Sequence, residues 1–336
     1  ALSRSGAEVT AYTGGKAEPN IAVVEVGDQR VTRLSEMYHP RKTTYATFDL
    51  VDFAGVGKGF SKEGADSEVM KLVKTMDALG MVLRNFPDAG GAAPAPLDEM
   101  QTLDDELVLT DLVVTENRLE RIDHSIGRGI KDAPLLAEQK ILRRVHDQLD
   151  AGRPIRDMEL TDNEQKLIRG FQFLTAKPLI AILNSDEERF GADEKLLGSL
   201  SRSHTAIEFA GTFEMELAQL DESEARAFMQ DIGIEHSARD RLTQVVYRIL
   251  GLISFFTVGE DEVRAWTVTR GSTAVQAAGA IHSDLARGFI RAECFTYDDL
   301  VSAGSEKAVK QRGLLRLEGK DYVVTDGDVL SIRFNV

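Results

Sequence analysis

The chain has 336 residues, of which 43% are hydrophobic, and its formal net charge at pH 7 is −15. That length exceeds one usual domain, so we expect two or three hydrophobic cores. The negative charge argues against indiscriminate nucleic-acid binding and DNA specificity, because phosphate contacts need clustered Lys and Arg. No apolar run approaches the roughly 20 residues that span a bilayer, and the first residues lack a basic-then-apolar signal pattern. We therefore expect a soluble, cytoplasmic protein without a membrane partner.

Two stretches of the chain carry the pattern of a largely parallel α/β sheet. Apolar runs of strand length alternate with helical or loop segments, and they span residues 21–26, 45–52, 79–86, 179–184 and 205–210. Such near-continuous apolar runs are typical of strands that are buried on both faces. The Gly- and Pro-rich stretch 88–96 predicts a loop, and residues 214–231 and 240–250 have the pattern of amphipathic helices.

The segment between these stretches has a heptad pattern. Apolar residues step by 7, 3 and 4 in two successive series, which are Leu112, Leu119, Ile122 and Ile126, then Leu135, Leu142, Val145 and Leu149. Because residues 127–134 interrupt the series, the pattern predicts two helices packed as an antiparallel hairpin. A third helix is predicted from Thr161, where Thr161 and Glu164 form a capping-box pattern.

The C-terminal part is rich in short β-type runs. They span residues 263–268, 289–295, 321–324 and 329–336, with turn-forming Gly residues between them. Residues 297–311 have helical spacing with Asp298 as a possible N-cap. Four strands around one helix predict a small β-grasp fold.

Four stretches of the chain carry a resemblance to a known family: the last 87 residues, ENRLERI at 116–122, MELTDNEQKLIRGF at 158–171 and LTAKPLIAILNSDEE at 174–188. They are similar to the YchF/Obg-like ATPase family, and the last 87 residues resemble its TGS domain nearly word for word. The resemblance implies an α/β fold: a P-loop NTPase-like, mostly parallel sheet, an inserted antiparallel helical (coiled-coil) arm and a C-terminal α+β β-grasp (TGS) domain. The implied borders are 1–105 and 174–253 for the nucleotide-binding domain, 106–173 for the arm and 254–336 for the TGS domain.

The resemblance implies a phosphate-binding role for Asp52 and Gly55. They match the family's DxxG step at the end of an apolar strand, where the Asp reaches the Mg²⁺ shell and the Gly amide meets the γ-phosphate. Asp52 is accordingly the expected metal residue, and Mg²⁺ bound with the nucleotide is the expected cofactor. A plain strand-end cap at Asp52 is the alternative.

The resemblance also implies a base-binding site. Asn184 and Glu187 match the NxxE motif, whose Glu accompanies a preference for ATP over GTP in this family. An acidic turn after a strand is the alternative interpretation of this motif. The loop that touches the base through backbone amides corresponds to Ala210, Gly211 and Thr212, where only the backbone role carries over because two side chains differ.

Other positions depart from the family pattern. The Mg²⁺-binding Thr of the switch segment falls at Gly15 or Lys16, and Val56 stands where related GTPases place a water-orienting Gln. No GxxxxGK[ST] phosphate loop occurs in the 336 residues. We expect about 20 to 25 further residues upstream, the length of a strand, a loop and a partial helix. These departures predict at most slow ATP or GTP hydrolysis.

The C-terminal part suggests a partner. Residues 254–336 hold 10 Lys plus Arg and 12 Asp plus Glu, so a local basic face for the ribosome or RNA is possible there, and its candidate residues are Arg264, Arg287 and Arg291. A solvated mixed-charge surface is the alternative. Two functions remain open: a nucleotide-binding regulator with weak hydrolysis that associates with the ribosome or RNA, or a catalytically inactive paralogue that acts as a protein- or RNA-binding scaffold.

Overall fold

A computed structural model describes residues 19–53, 68–130, 132–231 and 234–335. The described strands are β1 Asn20–Glu25, β2 Lys42–Thr44, β3 Thr47–Asp52, β4 Leu79–Asn85, β5 Leu179–Ser185, β6 Thr205–Phe209, β7 Leu252–Thr257, β8 Glu262–Thr269, β9 Phe289–Thr296, β10 Arg316–Glu318 and β11 Asp328–Phe334. The described α-helices are α1 Gln29–Tyr38, α2 Glu68–Thr75, α3 Pro96–Gly127, α4 Ala133–Asp150, α5 Asp162–Ile168, α6 Glu194–Ser203, α7 Gly211–Leu217, α8 Glu222–Asp231, α9 Ala238–Ile249, α10 Ala274–Ile281, α11 Ser283–Arg287, α12 Tyr297–Ala303 and α13 Glu306–Gln311.

The chain divides into two compact units. Of the described residues, one unit comprises 19–20, 51–53, 68–130 and 132–231, and the other combines 21–50 with 234–335. The predicted domain borders differ from the borders of these units, because they place residues 21–50 with the nucleotide-binding domain. The predicted domains stay a prediction. No helix among the described residues is both long and apolar enough to cross a membrane.

The first unit contains a parallel sheet in the order β4-β5-β6. Almost every residue of β5 is buried, which is typical of the central strand of a parallel sheet. Leu83 and Leu183 contribute to a core shared with α2, α3 and α6. Among the described residues β4 has a partner on one edge only, and Val82 is 57% exposed. The predicted parallel sheet is thus confirmed for three of its runs.

The predicted helical hairpin is present as α3 and α4. The heptad positions Ile122, Leu142, Val145 and Leu149 are buried in one cluster between the two helices and the segment that follows them. Arg118 of α3 bridges Glu138 of α4 at 2.7 Å. Helix α3 begins at Pro96, well before the predicted arm border at residue 106, and its Pro stands in the first turn, where this residue is favoured.

The capping-box prediction for the third helix is confirmed. The Glu164 amide donates to Thr161 Oγ1, and the Thr161 amide donates back to the Glu164 carboxylate. The predicted helix 214–231 is instead two helices, α7 and α8.

The second unit contains a six-stranded sheet in the order β10-β9-β11-β7-β8-β2. Helices α10 and α11 cover one face, where Phe255, Ala277 and Cys294 are buried together. The other face packs on α1, α12 and α13 around Phe256 and Leu34. Strand β2 joins the sheet through parallel pairing with β8, which brings the 21–50 segment into this unit.

Several predicted details of the C-terminal part are wrong. Strands β7 and β10 were not predicted, and residues 321–324 form no strand, with only an isolated bridge between Thr273 and Val323. The predicted helix 297–311 is divided because Gly304 ends α12 with a positive φ of 80°, and Ser305 then caps α13.

Candidate nucleotide-binding site

The loops after β5 and β6 meet at the carboxyl edge of the parallel sheet. Asn184 lies near the end of β5, and its Oδ1 accepts a hydrogen bond of 2.9 Å from the Gly211 amide. A Cβ atom at Gly211 would lie 2.9 Å from the same oxygen, so any larger residue here would displace the end of the Asn184 side chain. Ligands of open α/β sheets bind at this edge, where loops from adjacent strands converge.

The two parts of the predicted base site are therefore brought together. Gly211 begins α7, directly after the buried Ala210, and Thr212 is exposed. Asn184 is half-buried against this turn. Residues 27 positions apart in the chain thus form one contact, through the side chain and backbone groups that the sequence singled out.

The loop after Asn184 is a closed turn with an exposed tip. Asp186 Oδ1 accepts from the Arg189 amide at 2.9 Å, and its Oδ2 accepts from the Arg189 guanidinium at 2.7 Å. Glu187 lies inside this turn and is exposed. An exposed carboxylate on a turn that is fixed by hydrogen bonds is available to accept from a ligand's amino group.

A buried polar chain lies beneath this loop, and the sequence reasoning missed it. Asn85, Ser185 and Glu208 come from β4, β5 and β6, and each is at most 8% exposed. Asn85 Nδ2 donates to Ser185 Oγ at 3.0 Å, and the Ser185 hydroxyl in turn donates to Glu208 Oε1 at 2.5 Å. The available signal was a Glu inside the apolar run of β6, since a buried carboxylate needs partners.

Asp52 ends β3 and is exposed. Gly55, Val56, Gly15 and Lys16 lie outside the described residues. No group of three or more His, Cys, Asp or Glu in the described ranges could hold a metal ion. A single exposed carboxylate still fits Mg²⁺ that arrives on a nucleotide, because such Mg²⁺ is held by one or two carboxylates, phosphates and water.

Comparison with known proteins gives the family. A family model named YchF-GTPase_C, described as a protein of unknown function (DUF933), matches residues 252–335. The ribosome-binding ATPase YchF of Bacillus subtilis (strain 168) is 37% identical over 349 residues, which cover 100% of this chain and 94% of that protein. The chain belongs to the YchF family. The predicted resemblance is thereby confirmed over the whole chain.

Further YchF relatives agree with this result. The ribosome-binding ATPase YchF of Escherichia coli O157:H7 is 35% identical over 100% of this chain and 94% of that protein. The solved structure of the Schizosaccharomyces pombe YchF GTPase superposes with a TM-score of 0.84 at 30% identity, covering 96% of this chain and 90% of that one. The predicted fold class, a parallel α/β sheet with added helical and C-terminal parts, is confirmed.

The three arginines proposed for partner binding differ in their surroundings in this YchF chain. The Arg264 guanidinium lies 3.9 Å from the centroid of the Trp266 ring, where it contributes to packing. Arg287 is 78% exposed in its side chain and bridges Asp284 at 2.8 Å. Arg291 is exposed on β9, directly opposite Arg333 of β11. Since β11 and β7 separate β9 from β8, Arg264 stands about 14 Å across the sheet from Arg291.

The root of the arm is held by a buried carboxylate on α3. Asp111 is 1% exposed and accepts from the Leu174 amide at 3.0 Å, the Thr175 amide at 2.7 Å and the Thr175 hydroxyl at 2.7 Å. Burial raises the pKa of Asp111 in spite of these hydrogen bonds. The helical arm is thus fastened to the segment that leads into β5.

Proposed function

We propose that this chain binds a purine nucleoside triphosphate at the loops after β5 and β6, prefers ATP to GTP, and associates with the ribosome. The observation that carries the nucleotide part is the contact between Asn184 Oδ1 and the Gly211 amide. It joins the two segments that the family uses around the base. The printed names of the relatives, ribosome-binding ATPase YchF, support the ribosome part.

Base preference is assigned to Glu187. Its exposed carboxylate can accept from the amino group of adenine. Glutamate is one methylene longer than the aspartate that reads guanine in NKxD motifs, so its carboxylate reaches a different place from the same backbone. Two observations therefore support a preference for ATP over GTP: the residue at this position is Glu187, and it is accessible in the turn.

Asp52 is assigned to the Mg²⁺ that accompanies the nucleotide. Bound Mg²⁺ would neutralise charge on the phosphate oxygens. Asp52 would hold its coordination shell and Gly55 would donate its amide to the γ-phosphate. Ala210 and Thr212 would present backbone amides to the base, while the Gly211 amide holds this loop against Asn184. We propose that hydrolysis of the β–γ phosphoanhydride is slow, because an apolar Val56 cannot orient water.

Titration calorimetry of the whole protein with ATP, GTP and ADP in the presence of Mg²⁺ tests the nucleotide part. ATP should bind more tightly than GTP, with slow turnover. A Glu187→Asp variant should lower the preference for ATP, because the carboxylate is shortened while its charge is kept. If no nucleotide binds, the proposal fails and the inactive scaffold is the better account.

Ribosome association is tested by co-sedimentation at several salt concentrations. Arg287 and Arg291 are the exposed candidates, so an Arg287→Glu/Arg291→Glu double variant should weaken association and reduce its salt dependence. Arg33→Glu on α1 is a matched control, since Arg33 is also an exposed arginine, 54% accessible in its side chain. Equal sedimentation of the double variant and the wild type would remove this surface from the proposal and leave RNA contact unsupported. A cytoplasmic location stays a prediction.

A further inference from the structure

One buried carboxylate holds both ends of the loop that carries Glu187. Glu208 lies in β6 and is 8% exposed. Its Oε1 accepts from Ser185 Oγ at 2.5 Å, at the start of the loop. Its Oε2 accepts from the Gly191 amide at 3.2 Å, at the end of the loop. The carboxylate therefore spans the loop and fixes the separation of its ends.

The start of the loop is braced from a second direction. Ser185 Oγ donates to Glu208 and accepts from Asn85 Nδ2 at 3.0 Å, so the hydroxyl is used both as donor and as acceptor. Asn85 and Ser185 lie opposite each other in the pairing of β4 with β5. Because these groups are buried, their hydrogen bonds are stronger than in water, and leaving one unmade is costly.

The hydrogen bond between Ser185 and Glu208 lies next to Asn184, the residue that contacts Gly211. Successive side chains of a strand point to opposite faces, so Ser185 points away from the side of Asn184. Asn184 contacts Gly211, whereas Ser185 contacts Glu208. Within the loop, Asp186 closes the turn and Glu187 stands exposed. The position of the Glu187 backbone thus depends on where the loop ends are held.

We propose that Glu208 is a positioning residue for base selection, which acts by clamping Ser185 and Gly191 and thereby placing Glu187. This inference rests on the proposed nucleotide-binding function. Glu208 itself is buried beneath the loop, so it works through the loop and not by touching the base. Loss of the clamp leaves Glu187 present but poorly placed.

The Glu208→Gln substitution tests the clamp at nearly constant volume. The amide keeps one oxygen for Ser185 but turns a donor NH₂ towards the Gly191 amide, which is also a donor. The ratio of the Kd for GTP to the Kd for ATP is the readout, since both ligands carry the same triphosphate and phosphate contacts cancel. We expect this ratio to fall about tenfold, the effect of one well-placed buried hydrogen bond.

Ser185→Ala is a second variant. It removes the hydroxyl that bonds to Glu208 at the other end of the loop, so it should also lower the ratio. Asp111→Asn is the matched control, because Asp111 is also a buried carboxylate of this unit but holds Leu174 and Thr175. It should leave the ratio unchanged even if it lowers stability. Hydrogen–deuterium exchange of residues 186–191 should become faster in Glu208→Gln and stay slow in Asp111→Asn.

The outcomes separate the two proposals. If the wild type binds ATP selectively but Glu208→Gln and Ser185→Ala keep the wild-type ratio of the two Kd values, the positioning role is overturned and nucleotide binding stands. If exchange of residues 186–191 is unchanged in Glu208→Gln, the clamp is overturned without reference to nucleotides. A wild type that binds neither ATP nor GTP overturns the proposed function, and base selection with it.

Discussion

The carboxyl edge of the parallel sheet and the C-terminal six-stranded sheet use polar side chains in opposite ways. At the parallel edge, Glu187 is exposed and Asn184 is half-buried, on turns that are fixed by hydrogen bonds. In the C-terminal sheet, Asp328 is fully buried and the Arg264 guanidinium lies over the Trp266 ring. The charged side chain at the first place is exposed on a fixed turn, whereas the charged side chains at the second are packed within the fold.

The buried charge of the C-terminal sheet belongs to a network. Asp328 Oδ2 accepts from Tyr322 Oη at 2.8 Å, and Arg316 donates to the same phenol at 2.9 Å. Burial raises the pKa of Tyr322, and its hydrogen bond to Asp328 adds to the rise. Burial also raises the pKa of the Cys294 thiol to about 11, so this thiol stays protonated and unreactive at neutral pH.

If charge in the C-terminal sheet serves packing, Asp328→Asn should have the largest effect on stability. It weakens the hydrogen bonds from Tyr322 and the Thr325 amide, and we expect a loss of about 2–3 kcal/mol in the free energy of unfolding. Urea unfolding followed by the fluorescence of Trp266 measures this loss of stability. Trp266 is the single tryptophan of the chain and lies in the same structural unit as Asp328. Asp321→Asn, at an exposed position nearby, should change stability by less than about 0.5 kcal/mol. A change in nucleotide affinity in Asp328→Asn would break the contrast.

If the parallel edge serves binding, Gly211→Ala should reduce ATP affinity more than stability. The added Cβ would lie 2.9 Å from Asn184 Oδ1, so the end of this side chain must move. We expect about tenfold weaker ATP binding by calorimetry, or about 1.4 kcal/mol. Gly198→Ala is the control in the same unit, because its Cβ would meet nothing and should stabilise α6 by up to about 1 kcal/mol. Equal ATP affinity in both variants would contradict the assigned site.

A smaller effect is expected at the root of the arm, where the first unit also uses charge for packing. Asp104 accepts from His204 Nε2 and from the Arg156 guanidinium, both at 2.6 Å. Burial opposes ionisation of Asp104, but these two partners outweigh it and lower its pKa below the usual 3.8. Ionised Asp104 therefore contributes stability above that pH and loses it as the pH falls through the lowered pKa of the folded state.

The Asp104→Asn variant should accordingly lose less stability than the wild type when the pH falls below about 4, with a difference of roughly 1 kcal/mol or less. Thermal unfolding of both proteins between neutral and acidic pH measures it. Asp98→Asn, at an exposed position in the first turn of the same helix, is the control. Parallel pH profiles for wild type and Asp104→Asn would show that Asp104 carries no ionic role at the arm root.

Much of the fold could be predicted because its signals are local. The heptad steps at Leu142, Val145 and Leu149 correspond to a helical stripe that is buried in the arm, and the Thr161 capping box is complete within four residues. The apolar runs of β4 and β5 matched the observed strands to within one residue at the carboxyl end. Strand β10 was missed because it is only three residues long. Strand β7 is a continuous apolar run that directly follows α9, and periodicity alone does not distinguish such a run from a buried helical segment.

The sequence by itself determined the family, the helical arm and the residue types of the proposed base-binding motif, since these depend on short-range pattern and resemblance. Only the tertiary structure decided that Asn184 meets Gly211, that residues 21–50 add β2 to the C-terminal sheet, and that Glu208 lies under the Glu187 loop. Ser185 and Asn85 are 100 positions apart in the chain, yet the register of β4 and β5 places them side by side. Strand register is set by the packing of the whole sheet, so no local pattern could have shown that contact.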